Sequence, residues 1–173
     1  MALAVCLLFD TRTDRAVRAL WGRLEDTGIP TLLTHTHRRH VPHLSYAVLR
    51  TYDTDRVLTA LEALPDAESI PLRLDAVGLF RRGRACLIPA PTADLLDRQE
   101  RVVRAVEDTG AELHRHYRPG LGRHTARSAR GPARRTPAVD RRLYDVLPLE
   151  ATVVRAALID TVTGEHRRLR TLP

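Results

Sequence analysis

The sequence predicts an α+β fold in two similar halves, with mostly antiparallel sheets and helices outside. Short apolar runs without helical gaps alternate with longer stretches whose apolar residues recur at helical spacing. Two pairs of strand-like runs are separated only by tight-turn signals, Arg82-Gly83 and Thr163-Gly164, so each pair reads as a hairpin. The order strand, helix, strand, helix, strand, strand in the first half is then imitated by the second.

Leu3 to Phe9 reads as a buried strand. Asp10 or Thr11 caps a helix through about Thr27, with Ala16, Val17, Leu20, Trp21 and Leu24 at helical spacing and Gly28-Ile29-Pro30 ending it. Thr31 to His40 reads as strand then loop, and His43 to Leu49 as a strand. Asp53 or Thr54 starts a second helix carrying Val57, Leu58, Leu61 and Leu64, closed by Pro65. Ile70 to Phe80 and Arg84 to Pro89 form the first hairpin. Thr92 caps a long helix through Thr109, and Glu112 to Tyr117 is the next strand. The region of His124 follows as the counterpart of the His43 strand. Arg141 to Leu147 reads as a short helix, and Thr152 to Thr161 with Glu165 to Leu172 as the final hairpin.

A chain of 173 residues can bury a hydrophobic interior without metal or disulfide support. Cys6 and Cys86 each lie inside an apolar run and read as small core residues, which suits a reducing cytoplasm. The run from Ala2 to Phe9 lacks a basic leader and is too short for a membrane span, and no other run approaches spanning length. No membrane association is therefore expected. Lysine is absent, as strongly GC-biased coding would produce. The net charge of +7 is local: residues 118–142 hold eight arginines against Asp140 alone, and the rest of the chain balances 20 arginines against 20 acids. This segment is expected to be an irregular, solvated loop within a single bilobal domain over residues 1–173, because it lacks large apolar residues to offset its ordering entropy. Its arginines could hold RNA phosphates weakly and without sequence preference.

The chemistry centres on Pro42-His43-Leu44-Ser45-Tyr46-Ala47-Val48-Leu49. Alternation puts His43, Ser45 and Ala47 on one face and Leu44, Tyr46 and Val48 on the other. An imidazole that transfers protons near neutral pH thus stands beside a hydroxyl that can hydrogen-bond a non-bridging phosphate oxygen. One such strand is half of a phosphodiester-cleaving site. The reaction needs a base on the attacking oxygen and an acid on the leaving oxygen, and two facing His-x-Ser/Thr strands supply both.

On Pro42-His43-Leu44-Ser45, the repeated layout and the 81-residue interval between His43 and His124, the chain resembles the 2H phosphoesterase superfamily. Within it, the chain is similar to 2′-5′ RNA ligase-like (RNA 2′,3′-cyclic phosphodiesterase-like) proteins. The resemblance implies two pseudo-symmetric lobes around a central cleft. It also implies metal-independent hydrolysis of a 2′,3′-cyclic phosphate to a 2′-phosphate, or a related 2′-5′ phosphodiester reaction, without a cofactor. RNA ends or cyclic nucleotide phosphates would be the ligands of a monomer. His43 and His124 would be the acid/base pair, with Ser45 and Thr125 as phosphate ligands.

The second motif departs from the pattern. The chain reads Arg123-His124-Thr125-Ala126-Arg127-Ser128, so the hydroxyl is adjacent to the histidine and Ala126 stands two residues on. Permissible codons for Arg-His-Thr-Ala-Arg-Ser, CGC-CAC-ACT-GCA-CGC-TCG, contain CCA-CAC-TGC-ACG-CTC in a shifted frame, which spells Pro-His-Cys-Thr-Leu. A compensated frameshift across about Gly122 to Ala138 would therefore disguise a regular second motif, and the coding DNA decides the matter. Otherwise His124 is a solvated histidine in an arginine-rich loop.

Two other function classes compete with the enzyme: an inactive relative that binds RNA or nucleotide phosphates through the His43 half-site, and a structural or interaction domain without a phosphate ligand. The cluster His35, His37, His40 and His43 fits no familiar zinc spacing, and Arg38 and Arg39 would repel a dication. No metal is expected there; His35 and His37 are expected to flank the cleft or face solvent.

Overall fold

A computed structural model describes residues 2–80, 84–117, 126–130 and 143–173. The first half contains β1 (Leu3–Phe9), α1 (Thr11–Glu25), β2 (His43–Thr51), α2 (Thr54–Glu62), β3 (Ile70–Phe80) and β4 (Arg84–Pro89). The second contains α3 (Ala93–Glu107), β5 (Glu112–Leu113), β6 (Ala126–Arg130), β7 (Leu149–Asp160) and β8 (His166–Arg168). The helix starts follow the sequence. Asp10 accepts from Thr13 N at 2.7 Å, Asp53 from the amides of Asp55 and Arg56, and Thr92 from Leu95 N at 3.2 Å. α1 ends where Gly28 takes a φ of 75° and Ile29 N returns to Leu24 O, a left-handed stop that glycine adopts without strain.

Several expected elements differ. Between Thr31 and His40 the chain is turned rather than extended after a single bridge at Thr31, and the positive φ of Thr36 (47°) and Arg38 (58°) breaks strand geometry. The strand expected over Glu112–Tyr117 stops at Leu113, because the chain tightens into a 3₁₀ turn at Arg115–Tyr117 with Tyr117 N bonded to His114 O. β8 is three residues long; beyond it, the chain is drawn toward the end of α2, where Leu172 N donates to Asp66 and Leu172 O accepts from Ala67 N. The short helix expected over Arg141–Leu147 lies partly outside the described residues; Leu143 and Tyr144 are helical and Asp145 and Val146 form a turn. Within the arginine-rich segment, Ala126–Arg130 is strand β6.

Among the described residues all strand pairs are antiparallel, and β7 changes neighbours along its length. Leu149–Val153 lies beside β3, whereas Val153–Asp160 lies beside β1 and, near its end, β8. One half-sheet is thus β8-β7-β1-β2 and the other β7-β3-β4-β6, and the sheet curls until β2 meets β6 at Leu44↔Ala126. The expected α+β architecture of antiparallel half-sheets with helices outside is the one observed.

The helices cover one face. Val17, Leu20, Trp21 and Leu24 of α1, Val57 and Leu61 of α2, and Leu95, Val102, Val103 and Val106 of α3 are buried together with Leu3, Val5, Leu7 and Phe9 of β1. The opposite face of β1 carries a second, smaller cluster of Ala4, Cys6, Ala157 and Ile159, against which Leu8, Val41 and Val48 pack. Both cysteines are buried, as their apolar settings predict. No described helix is long and apolar enough to cross a membrane.

Candidate active site

The second cluster sits under the half-site. β1 and β2 pair Leu8↔His43 and Cys6↔Ser45, but Val5 pairs Ala47, so Tyr46 is an extra residue on β2. This bulge corrects the alternation expected from the sequence. Ala47 joins Leu44, Tyr46 and Leu49 in the helix-facing core, and Val48 packs on the Cys6 cluster instead. His43 and Ser45 precede the bulge and keep a common face. A two-residue period cannot reveal such a bulge, because all three residues around it are compatible with burial.

His43 is half-buried, and its Nδ1 lies 2.7 Å from the carbonyl oxygen of Val41. A carbonyl only accepts, so Nδ1 carries a hydrogen and donates it. In the neutral ring the lone pair is then on Nε2, an atom able to take a proton as a base and return it as an acid. The proline of the motif has a role here. Pro42 spans the two residues of this bond with a φ fixed near −65°, and the Val41 side chain is held in the Cys6 cluster. Sequence inspection singled out Pro42 only as a family mark; its backbone function and that of Val41 needed the coordinates.

Ser45 is 5% exposed, and its Oγ lies 3.9 Å from Cys6 Sγ. Cys6 therefore forms part of the floor beneath the hydroxyl, a contact that the apolar run around it gives no sign of. His124 and Thr125 lie outside the described residues. Ala126, the next residue, begins β6 and pairs with Leu44, between His43 and Ser45. The strand that follows the second candidate histidine in the chain thus adjoins the strand that carries the first.

The segment leading to the site is anchored at both ends. At its start, Glu25 Oε1 accepts from the amide and hydroxyl of Thr31 at 3.2 and 2.7 Å and from those of Thr34 at 3.3 and 2.8 Å. Farther along, the ring centroids of His37 and His40 are 4.1 Å apart, and His40 O accepts from Arg18 at 3.3 Å. His37 also packs against the β7–β8 turn, where its ring fills the space that a Cβ on Gly164 would need. This turn of the chain, rather than the expected strand, places His37 against the β7–β8 turn. Among the described residues no group of three or more His, Cys, Asp or Glu side chains is disposed to hold a metal ion.

The curled antiparallel sheet with outer helices is the fold of the 2H phosphoesterase class, and solved structures share that fold over nearly the whole chain. E. coli LigT complexed with 3'-AMP has a TM-score of 0.60 at 14% identity, covering 99% of this chain and 94% of that one. Kluyveromyces marxianus Usb1 has a TM-score of 0.56 at 15% identity, covering 99% and 98%, and its structure with uridine monophosphate a TM-score of 0.55 at 14% identity, covering 98% of each. These likenesses establish the fold. The model of the 2'-5' RNA ligase superfamily matches residues 12–165, and the chain belongs to that superfamily. No curated protein matches the sequence.

Proposed function

We propose that the protein is an RNA 2′,3′-cyclic phosphodiesterase, or a closely related 2′-5′ RNA ligase-like phosphoesterase, that works by paired histidine acid/base catalysis. The observation that supports this reading is the His43 Nδ1 bond to Val41 O, which puts the neutral ring's hydrogen on Nδ1 of a histidine that shares a strand face with Ser45; in this reading Nε2 transfers the proton. In hydrolysis of a 2′,3′-cyclic phosphate, a water oxygen forms a bond to phosphorus as the bond to the 3′ oxygen breaks. One histidine accepts the water proton and the other donates a proton to the 3′ oxygen, leaving a 2′-phosphate. His43 takes one of these roles and His124 the other, and they exchange roles when the reaction runs in reverse. The Ser45 hydroxyl donates to a non-bridging oxygen, and Thr125 is the candidate second donor. The ligands would be RNA ends or cyclic nucleotide phosphates; the LigT and Usb1 structures with 3'-AMP, NADP+ and uridine monophosphate support that class.

A second reading is favoured by the sequence at His124-Thr125-Ala126, where the hydroxyl is out of place: a relative that binds nucleotide phosphates without turnover. Incubating the protein with an oligoribonucleotide ending in a 2′,3′-cyclic phosphate separates the two. The enzyme reading expects a 2′-phosphate product in the presence of a chelator and loss of activity in Ser45→Ala or His43→Ala. Saturable binding with an intact cyclic phosphate after long incubation would overturn the enzyme reading in favour of the binder.

A further inference from the structure

Gln99 lies on α3 at the positions that otherwise form its buried stripe, four residues after Leu95 and three before Val102. A polar side chain on an apolar stripe needs partners, and this one has two. Its Nε2 lies 3.2 Å from Tyr46 O and 3.2 Å from Tyr117 O. Both acceptors are carbonyls, so the amide nitrogen spends both of its hydrogens on them.

The two carbonyls are not equivalent places on the surface. Tyr46 follows Ser45 and is the extra residue of the β2 bulge, where pairing with β1 shifts by one. On the other edge of β2, Leu44 pairs with β6 and Val48 O accepts from His114 N beside β5, so Tyr46 O falls in the gap between those two ladders. Tyr117 closes the 3₁₀ turn after β5 and is the last residue before the stretch that leads to His124. One amide thus ties the strand of His43 and Ser45 to the chain that enters the second candidate motif.

We propose that Gln99 is a positioning residue that fixes the strand of His43 and Ser45 against the chain at Tyr117, acting through the backbone of Tyr46 and Tyr117. The inference rests on the phosphodiesterase reading for its activity readout only. Gln99→Leu and Gln99→Met keep the volume and remove both donors; each is expected to melt within a few degrees of the parent, with kcat reduced about 10- to 100-fold, as misplacement of reacting groups by about 1 Å does, and KM little changed. Gln99→Glu adds a pH readout. Its carboxylate would face two carbonyl oxygens, and on protonation it regains one donor, so its kcat relative to the parent rises as pH falls, whereas that of Gln99→Leu does not. Parent-like kcat in both donor-free variants, with His43→Ala inactive, overturns the inference and leaves the enzyme reading standing. If parent and His43→Ala are both without turnover, the enzyme reading fails, and amide hydrogen exchange decides the inference alone. Faster exchange at Ser45–Ala47 in Gln99→Leu supports the clamp, and unchanged exchange refutes it.

Discussion

Replacing Glu25 with alanine tests how the chain delivers Val41 and His43 to the site. Glu25 is the last residue of α1, and its Oε1 gathers four hydrogen bonds from Thr31 and Thr34. The two threonines differ in consequence. Thr31 is 0% exposed, so truncation leaves its amide and hydroxyl hydrogens with no water to turn to, whereas Thr34 is exposed and solvent replaces the carboxylate. Orphaned buried donors cost about 1–3 kcal/mol, and the exposed pair adds little, so the expected loss is about 2 kcal/mol. For a chain of this length that corresponds to a fall in Tm of about 4–8 °C. Urea denaturation at neutral pH should show the midpoint falling with the slope unchanged, and Thr31→Val combined with Glu25→Ala should be less than additive by about 1 kcal/mol. The pH dependence has a definite sign. Burial pushes the Glu25 carboxyl up, but the bonds from Thr31 and Thr34 outweigh it and hold the group below its ordinary 4.5. The folded state therefore favours the carboxylate, and its stabilisation is complete above pH 4.5 and disappears as pH falls through the lowered value. A loss below about 0.5 kcal/mol, or an equal loss from Thr34→Val and Thr31→Val, would refute the assignment of the cost to buried donors.

Asp10→Ala should cost about 1 kcal/mol by removing the α1 cap, while Asp10→Asn retains most of it; equal effects in thermal denaturation would show that the cap bond is immaterial. The Thr13 amide, partly opposed by desolvation, also holds the Asp10 carboxyl below 3.8, so the difference between Asp10→Ala and the parent should shrink as acid protonates the group. His166 is held below its ordinary 6.5, first by desolvation and further by the charges of His37 and Arg18, against an opposing bond to the Arg39 backbone. The unfolded chain then binds the proton more readily, stability falls as pH drops below about 6.5, and His166→Gln should flatten that slope in denaturation curves taken between about pH 7 and 5; an unaltered slope would assign it elsewhere.

Much of the architecture was legible because its signals are local. The caps at Asp10, Asp53 and Thr92, the stop at Gly28 and the apolar runs of β1 to β4 each depend on neighbours within a few residues. The missed features depend on distant ones. The bulge at Tyr46 arises from pairing with β1, the turned segment after Thr31 from Glu25 and the β7–β8 turn, and the partner change along β7 from two strands far away in sequence. At the candidate site, the common face of His43 and Ser45 was readable from a two-residue spacing, since both lie on the same side of the bulge. The contacts of Cys6 with Ser45 and of Val41 with His43 were not readable, because a floor contact and a backbone carbonyl leave no mark in residue type. Gln99 left one, a polar residue interrupting the buried stripe of α3.

The pH dependence of kcat/KM for a 2′,3′-cyclic nucleotide, in the parent and in His43→Ala, tests the central claim most directly. The account predicts a bell-shaped parent profile set by two titrating groups, and for His43→Ala a fall of at least about 100-fold with loss of one limb. Parent-like turnover with both limbs intact in His43→Ala would contradict it.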